Sequence, residues 1–216
     1  MKGITFGNYH TFNDFGLVIE EREISAPEPK THFVEIEGAD GSLDFTEAFG
    51  DVTYKRRKLK YQVTSLAPRN EFWTKFSEIQ NSLHGREFSI IDDEDPDYYY
   101  KGRITIDKWK IDKVLGSFSI EVDAEPYKYH LYETQRVDTI SGTTTLVYKN
   151  DRMRVNPTLR LSAPMTLIFE GKTLSINSSD VDKDFTSTGI VFKEGNNILQ
   201  VTGEGTLTVK YQEGSL

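Results

Sequence analysis

His84-Gly85-Arg86-Glu87-Phe88-Ser89-Ile90-Ile91-Asp92-Asp93-Glu94-Asp95-Pro96-Asp97-Tyr98-Tyr99-Tyr100-Lys101-Gly102-Arg103 decides the fold. A helix ends at Gly85, a residue suited to the left-handed position past a helix C-terminus. A strand is predicted over Glu87 to Ile91. An acidic turn then closes on Asp95-Pro96, and Tyr98 to Tyr100 begin a strand that runs on through Ile104 and Ile106.

Upstream, Pro68 to Leu83 reads as the one helix. Phe72, Phe76, Ile79 and Leu83 recur at helical spacing and share a face, and Pro68 suits a first turn. Asp51 to Thr64 reads as a strand region in which Leu59, Tyr61 and Val63 alternate with Lys58, Lys60 and Gln62. Phe33 to Glu37 alternates in the same way and predicts a half-buried strand. Its partner, Ser42 to Phe45, follows across the turn Gly38-Ala39-Asp40-Gly41. Residues 1–25 read as short strands around a turn at Asn13-Asp14-Phe15-Gly16, and Pro27 and Pro29 end the run.

Downstream, Arg103 to Val122 reads as two strands around a turn near Val114-Leu115-Gly116. Leu131 to Ser141 reads as a crossing or linker. Short strands follow at Thr143–Tyr148, Thr166–Phe169, Leu174–Ile176, Ile190–Phe192, Ile198–Val201 and Leu207–Tyr211. Asn156-Pro157, Ala163-Pro164, Glu170-Gly171, Gly195-Asn196-Asn197 and Gly203-Glu204-Gly205 punctuate them. Short strands at this spacing predict a β-sandwich. The expectation is a mainly β chain with one helix and two domains, residues 1–130 and 131–216.

The chain has 216 residues, 37% hydrophobic and 28% charged, which places it in the globular range. It has no cysteine, so disulfides and thiolate chemistry are excluded, which fits folding in a reducing cytoplasm. Met1 leads directly into Lys2-Gly3-Ile4-Thr5-Phe6, so no signal peptide is expected, and no apolar run is long enough to span a membrane. The net charge of −8 argues against a nucleic-acid-binding surface and suits a passive conduit that repels phosphate.

Catalytic patterns are missing. There is no HExxH, Gly-x-Ser-x-Gly, P-loop or dinucleotide glycine pattern. His10, His32, His84 and His130 are scattered. Asp92 to Asp97 invites a calcium reading but lacks the spacing, central glycine and terminal glutamate of a calcium loop, so a solvated turn is expected. Neither a catalytic residue nor a metal or cofactor is expected. Lys55-Arg56-Arg57-Lys58 reads as a solvated sheet edge or as part of an arm that meets an acidic neighbouring copy. Tyr98, Tyr99 and Tyr100 read as packing or subunit contact.

The order of these features resembles the distal tail protein (Dit) family of long-tailed bacteriophages. The resemblance rests on Asp40-Gly41-Ser42-Leu43-Asp44 after a strand, Arg56-Arg57-Lys58-Leu59, and the helix to Leu83-His84-Gly85. Next come Asp95-Pro96-Asp97-Tyr98-Tyr99-Tyr100-Lys101-Gly102-Arg103, and Phe118-Ser119-Ile120 leading to Glu125-Pro126-Tyr127-Lys128-Tyr129. It covers about the first 130 residues, while Gly195-Asn196-Asn197-Ile198 carries a weaker likeness in the second half.

The resemblance implies a structural protein of the virion, made in the host cytoplasm and placed at the tail tip. It implies a homohexameric ring built by the N-terminal domain, a sandwich of the tail-tube kind, with DNA only in transit through its lumen. Its partners would be the tail tube protein on one face and a tail-tip or tail-associated lysin protein on the other. A galectin-like C-terminal sandwich would hold receptor-binding components. No cofactor and no membrane contact are implied.

The candidate interface residues are Asp40, Asp44, Glu47, Asp51, Lys55, Arg56, Arg57, Lys58, Tyr98, Tyr99 and Tyr100. Gly85, Asp95, Pro96, Gly102, Arg103, Pro126 and Tyr127 take structural roles. The competing reading is a carbohydrate-binding module for host-surface recognition, which needs exposed aromatics converging on one face of residues 131–216. A tail-associated hydrolase would need a catalytic pair that the sequence does not display.

Overall fold

Leu59, Tyr61 and Val63 are all fully buried, as their alternation with Lys58, Lys60 and Gln62 requires of a strand with one face on a core. The computed structural model that places them describes residues 1–48, 50–111 and 115–216. It divides into two compact units, Met1–Lys128 with Leu216, and Tyr129–Ser215. The chain is mainly β, with antiparallel sheets and a single α-helix among the described residues.

The first unit holds β1 (Ile4–Phe6), β2 (Tyr9–His10), β3 (Leu17–Ile24), β4 (Phe33–Glu35), β5 (Ser42–Asp44), β6 (Arg57–Ser65), α1 (Phe72–Leu83), β7 (Glu87–Asp92), β8 (Tyr98–Ile111) and β9 (Gly116–Ala124). Its main sheet runs in the order β2-β1-β7-β8-β9-β6-β3. On a flat sheet β3 and β7 would stand about 19 Å apart, four strand spacings. Instead Arg22 on β3 reaches Asp92 on β7, and Phe6 on β1 packs edge-on against Tyr61 on β6. The sheet therefore curls until its ends face each other across one core.

Helix α1 places Phe72, Phe76, Ile79 and Leu83 in that core, the face expected from their spacing. It begins at Phe72 rather than Pro68. The Pro68 carbonyl accepts the Glu71 amide in a separate turn before the helix. Gly116 lies under the first helical turn. A Cβ there would stand 2.0 Å from the Phe72 ring, so only glycine lets helix and strand approach this closely. At the other end Gly85 takes φ +76° and donates its amide to the Ile104 carbonyl at 2.8 Å. The His84 Nδ1 accepts the Ile106 amide. The helix end is thereby tied to β8. The turn expected near Val114 lies partly outside the described residues.

β10 (Lys128–His130) begins at the last residue of the first unit, and the second unit contains β11 (Thr134–Asn150), β12 (Thr158–Leu161), β13 (Met165–Phe169), β14 (Lys172–Ile176), β15 (Phe185–Thr186), β16 (Gly195–Tyr211) and β17 (Gly214–Ser215). Three expectations need correction here. Residues 134–141 are no linker but the first half of β11, which pairs with β16 along its whole length. They lack an apolar rhythm because most of their side chains face solvent. Gly203-Glu204-Gly205 is no chain reversal either. It is a bend within β16, with φ of +157° and +134° at the two glycines. Beyond the bend β16 exchanges β13 for β12 as its neighbour. Ile190–Phe192 forms only an isolated bridge through Val155 and Phe192.

The bend folds the β11–β16 ribbon over its own core. Arg136, early in β11, donates to the carbonyl of Val147, late in the same strand, and Tyr148 donates its hydroxyl to Asp138. Tyr148, Phe192, Phe169 and Tyr211 pack ring against ring inside.

Candidate assembly interface

The ladder between β3 and β6 does not stop where the main sheet does. Ser25 donates to Lys58, Lys55 to Glu28, Lys30 to Thr53 and Phe45 to His32, each through its backbone amide. This stem carries the β4–β5 hairpin, with Phe33 opposite Asp44, Val34 opposite Leu43 and Glu35 opposite Ser42. Gly38 and Gly41, both at φ +80°, supply the left-handed conformations of the turn.

The hairpin matches the sequence expectation, but its burial does not. Alternation predicted one covered face, yet Phe33 is 55% and Leu43 51% exposed, and Val34, Ile36 and Phe45 are exposed as well. An isolated two-stranded hairpin is marginal in water, and by its register Val34 and Leu43 share one face and Phe33 lies on the other, so both faces carry exposed apolar side chains. Around it stand Glu35, Glu37, Asp40, Asp44, Glu47 and Asp51, with no Lys or Arg from residue 31 to 51. Asp44 accepts hydrogen bonds from the hydroxyl and amide of Thr46, which hold its carboxyl below the usual range. The apolar residues of the arm were missed in sequence because alternation signals a covered face without saying what covers it.

The basic run divides. Lys55 pairs with Glu28 at the stem, and Arg56 pairs with Asp123 at 2.8 Å. Lys58 is exposed. Arg57 is 6% exposed and is corrected from surface to interior. Its guanidinium donates to the carbonyls of Ser25 and Pro126 and lies over the Tyr100 ring. Tyr100 is also buried, within the core, and burial raises its hydroxyl pKa. Tyr98 and Tyr99 are half-buried, with Lys128 over the Tyr98 ring at 4.0 Å.

The acidic turn is exposed at Glu94, Pro96 and Asp97, as expected of a solvated turn, but four of its carboxylates have partners. Asp92 is buried against Arg22, Asp93 accepts from the Gly3 amide and from His10, Glu94 pairs with Lys2, and Asp95 pairs with Lys128 at 2.6 Å. His10 accepts the Phe12 and Asn13 amides at Nδ1, so Nε2 carries the proton that Asp93 receives. Burial opposes the charge on Asp93, but the Gly3 and His10 hydrogen bonds outweigh it and lower the pKa. Among the described residues no group of His, Asp or Glu could hold a metal ion.

The motif residues lie along this framework. Arg103 donates to the Gly85 carbonyl, and Tyr127 packs edge-on against Tyr54. A Cβ on Gly102 would stand 2.8 Å from the Ala124 backbone, so β8 and β9 need glycine there. Pro96 is exposed in the turn.

In the second unit, a cleft of about 470 Å³ is lined by Glu170, Lys193, Asn196, Ile198 and Gln200 among others. The Glu170–Lys193 ion pair, at 2.7 Å, forms part of its wall. The aromatics considered for sugar binding are committed elsewhere: Tyr148, Phe169, Phe192 and Tyr211 are buried and Phe185 packs on the core.

No family model and no curated protein matches the sequence. The fold is nevertheless that of a solved protein. The chain is similar to the crystal structure of the Dit protein (gp 19.1) of SPP1, a paradigm of the hub adsorption apparatus in phages that infect Gram-positive bacteria. The TM-score is 0.70 at 15% identity, over 98% of this chain and 99% of that one.

Proposed function

We propose that this chain is a structural hub protein of a bacteriophage tail. The observation that carries the reading is the likeness to the SPP1 Dit protein over almost the whole of both chains. Fold alone does not fix function, and the β4–β5 arm supplies the second support. It presents an apolar, acidic surface that its own protomer does not cover.

On this reading residues 1–130 form the ring-building domain and the arm joins each copy to the next, closing a homohexamer at the distal end of the tail tube. A closed ring needs a heterologous contact, in which two different surfaces of one chain meet on successive copies. DNA passes through the lumen without being held, which suits a chain of net charge −8. The tube protein lies on one face and a tail-tip or lysin protein on the other. Residues 131–216 serve as a galectin-like outward platform for receptor-binding components. A sugar-binding role for that platform is less favoured, because Tyr148, Phe169, Phe192 and Tyr211 lie in its core and Tyr132 is its one strongly exposed aromatic among the described residues.

Negative-stain imaging of the purified chain, alone and with the tube protein, tests the reading. Rings with a central hole support it. Monomers in both samples contradict it.

A further inference from the structure

Arg57 and Ala124 form the last rung of the ladder between β6 and β9. Beyond that rung the two segments part. One is the stem of the arm, in which the Lys55 amide donates to the Glu28 carbonyl and the Lys30 amide to the Thr53 carbonyl. The other, Glu125 to Tyr127, is a strap that leads into β10. Its Glu125 amide donates to the Lys101 carbonyl on β8, which lies on the far side of β9 from β6.

Arg57 spans the parting. Its Nε donates to the Ser25 carbonyl at 2.8 Å, at the root of the stem, and its Nη1 to the Pro126 carbonyl at 3.3 Å, in the strap. The guanidinium carbon stands 5.3 Å from the centre of the Tyr100 ring. Two neighbouring contacts follow the same line: Arg56 pairs with Asp123, and the Tyr54 ring meets the Tyr127 ring edge-on.

The chemistry of Arg57 suits a joint better than a filler. The residue is 6% exposed, and among the described residues no carboxylate pairs with it. Burying a charge without a counter-ion is costly, and an apolar side chain of similar length would fill the space at lower cost. What only the guanidinium supplies is a rigid fork of donors that holds carbonyls of two segments at once.

We propose that Arg57 is a clasp that couples the stem of the arm to the strap Glu125–Tyr127, so that the two loosen and tighten together. Whatever partner orders the arm then also orders the strap, and a partner that orders the strap steadies the arm by the same factor. Arg57 acts here as a positioning residue, through the two carbonyls that it holds.

Hydrogen exchange of the full chain, read residue by residue by NMR, tests the clasp. In Arg57→Met the amides of Lys30, Lys55 and Glu125 are expected to exchange about tenfold faster, as when one directed hydrogen bond is lost. Those of Tyr61 and Ile120, in the middle of the ladder, are expected to keep their rates. Lys30→Pro then removes a stem hydrogen bond without touching Arg57. With Arg57 present it is expected to speed exchange at Glu125, and in the Arg57→Met chain to add nothing there. An unchanged Glu125 in Lys30→Pro overturns the coupling. A rise of equal size in both backgrounds overturns the assignment to Arg57. If Arg57→Met also speeds Tyr61 and Ile120, Arg57→Lys decides, because it keeps the charge and removes the fork. Faster exchange at Lys55 and Glu125 alone then supports the clasp, and an unchanged Glu125 overturns it.

Discussion

Arg22 and Asp92 meet at 3.0 Å across the interior of the first unit, although 70 residues of chain and four strand spacings of sheet lie between them. Asp92 is 5% exposed and accepts from Arg22 Nε at both carboxylate oxygens and from the Glu94 amide. Asp92→Ala is expected to cost about 3 kcal/mol, because it strands a partly buried guanidinium. Replacing both partners by Met and Leu is expected to cost far less. Both tryptophans of the chain, Trp73 and Trp109, belong to the first unit, so urea unfolding followed by their fluorescence reads that unit alone.

Gly116 sets the distance between helix and sheet. Gly116→Ala is expected to destabilise by about 1–3 kcal/mol, the usual range for overpacking. The source would be the collision with the Phe72 ring. Phe72→Leu in the same chain should recover part of that loss, and the fluorescence assay reads both.

The Asp93 contact makes stability depend on acid. The folded pKa is lowered, so its contribution is fully present above the unfolded value near 3.9 and disappears as pH falls through the folded value. Asp93→Asn is expected to lower the melting temperature at pH 7, by an amount corresponding to about 1 kcal/mol or less, since Asp93 is partly screened. The two proteins should converge once the pH has fallen below the folded pKa of Asp93. A difference that does not shrink as acid is added would show that the carboxylate is not responsible.

Calcium should not stabilise the chain. Asp92, Asp93, Glu94 and Asp95 are each engaged by a cationic or amide partner. A ligand that binds only the folded state raises the melting temperature. Melting with calcium and with chelator should therefore coincide. A calcium-dependent rise that Asp93→Ala with Asp95→Ala abolishes would contradict this.

Local patterns were legible in the sequence. The period of Phe72, Phe76, Ile79 and Leu83 gave the helix face, and the alternation of Leu59, Tyr61 and Val63 gave a core strand. Gly38 to Gly41 gave the hairpin turn. What was illegible depends on distant chain. The partners of the acidic turn come from Lys2, His10, Arg22 and Lys128, and no local window contains them. Gly203 and Gly205 mark a bend, not a reversal, only because β12 and β13 occupy the same edge of β16. Residues 134–141 lack an apolar rhythm because solvent, not core, faces most of them. For the candidate site, sequence located the arm and its acids but not its exposed apolar surface. It also took Arg57 for surface, because a basic run does not reveal that one of its members turns inward to Pro126 and Tyr100.

Arm-mediated ring assembly is tested most directly by the native mass of the full chain beside a variant whose residues 31–50 are replaced by a short Gly-Ser link. Both are measured alone and with the tube protein. The full chain is expected at the mass of six copies, with a central hole in negative-stain images. The variant is expected as a folded monomer that keeps a cooperative urea transition. Rings that persist without the arm, or a full chain that stays monomeric even beside the tube protein, would contradict the assignment.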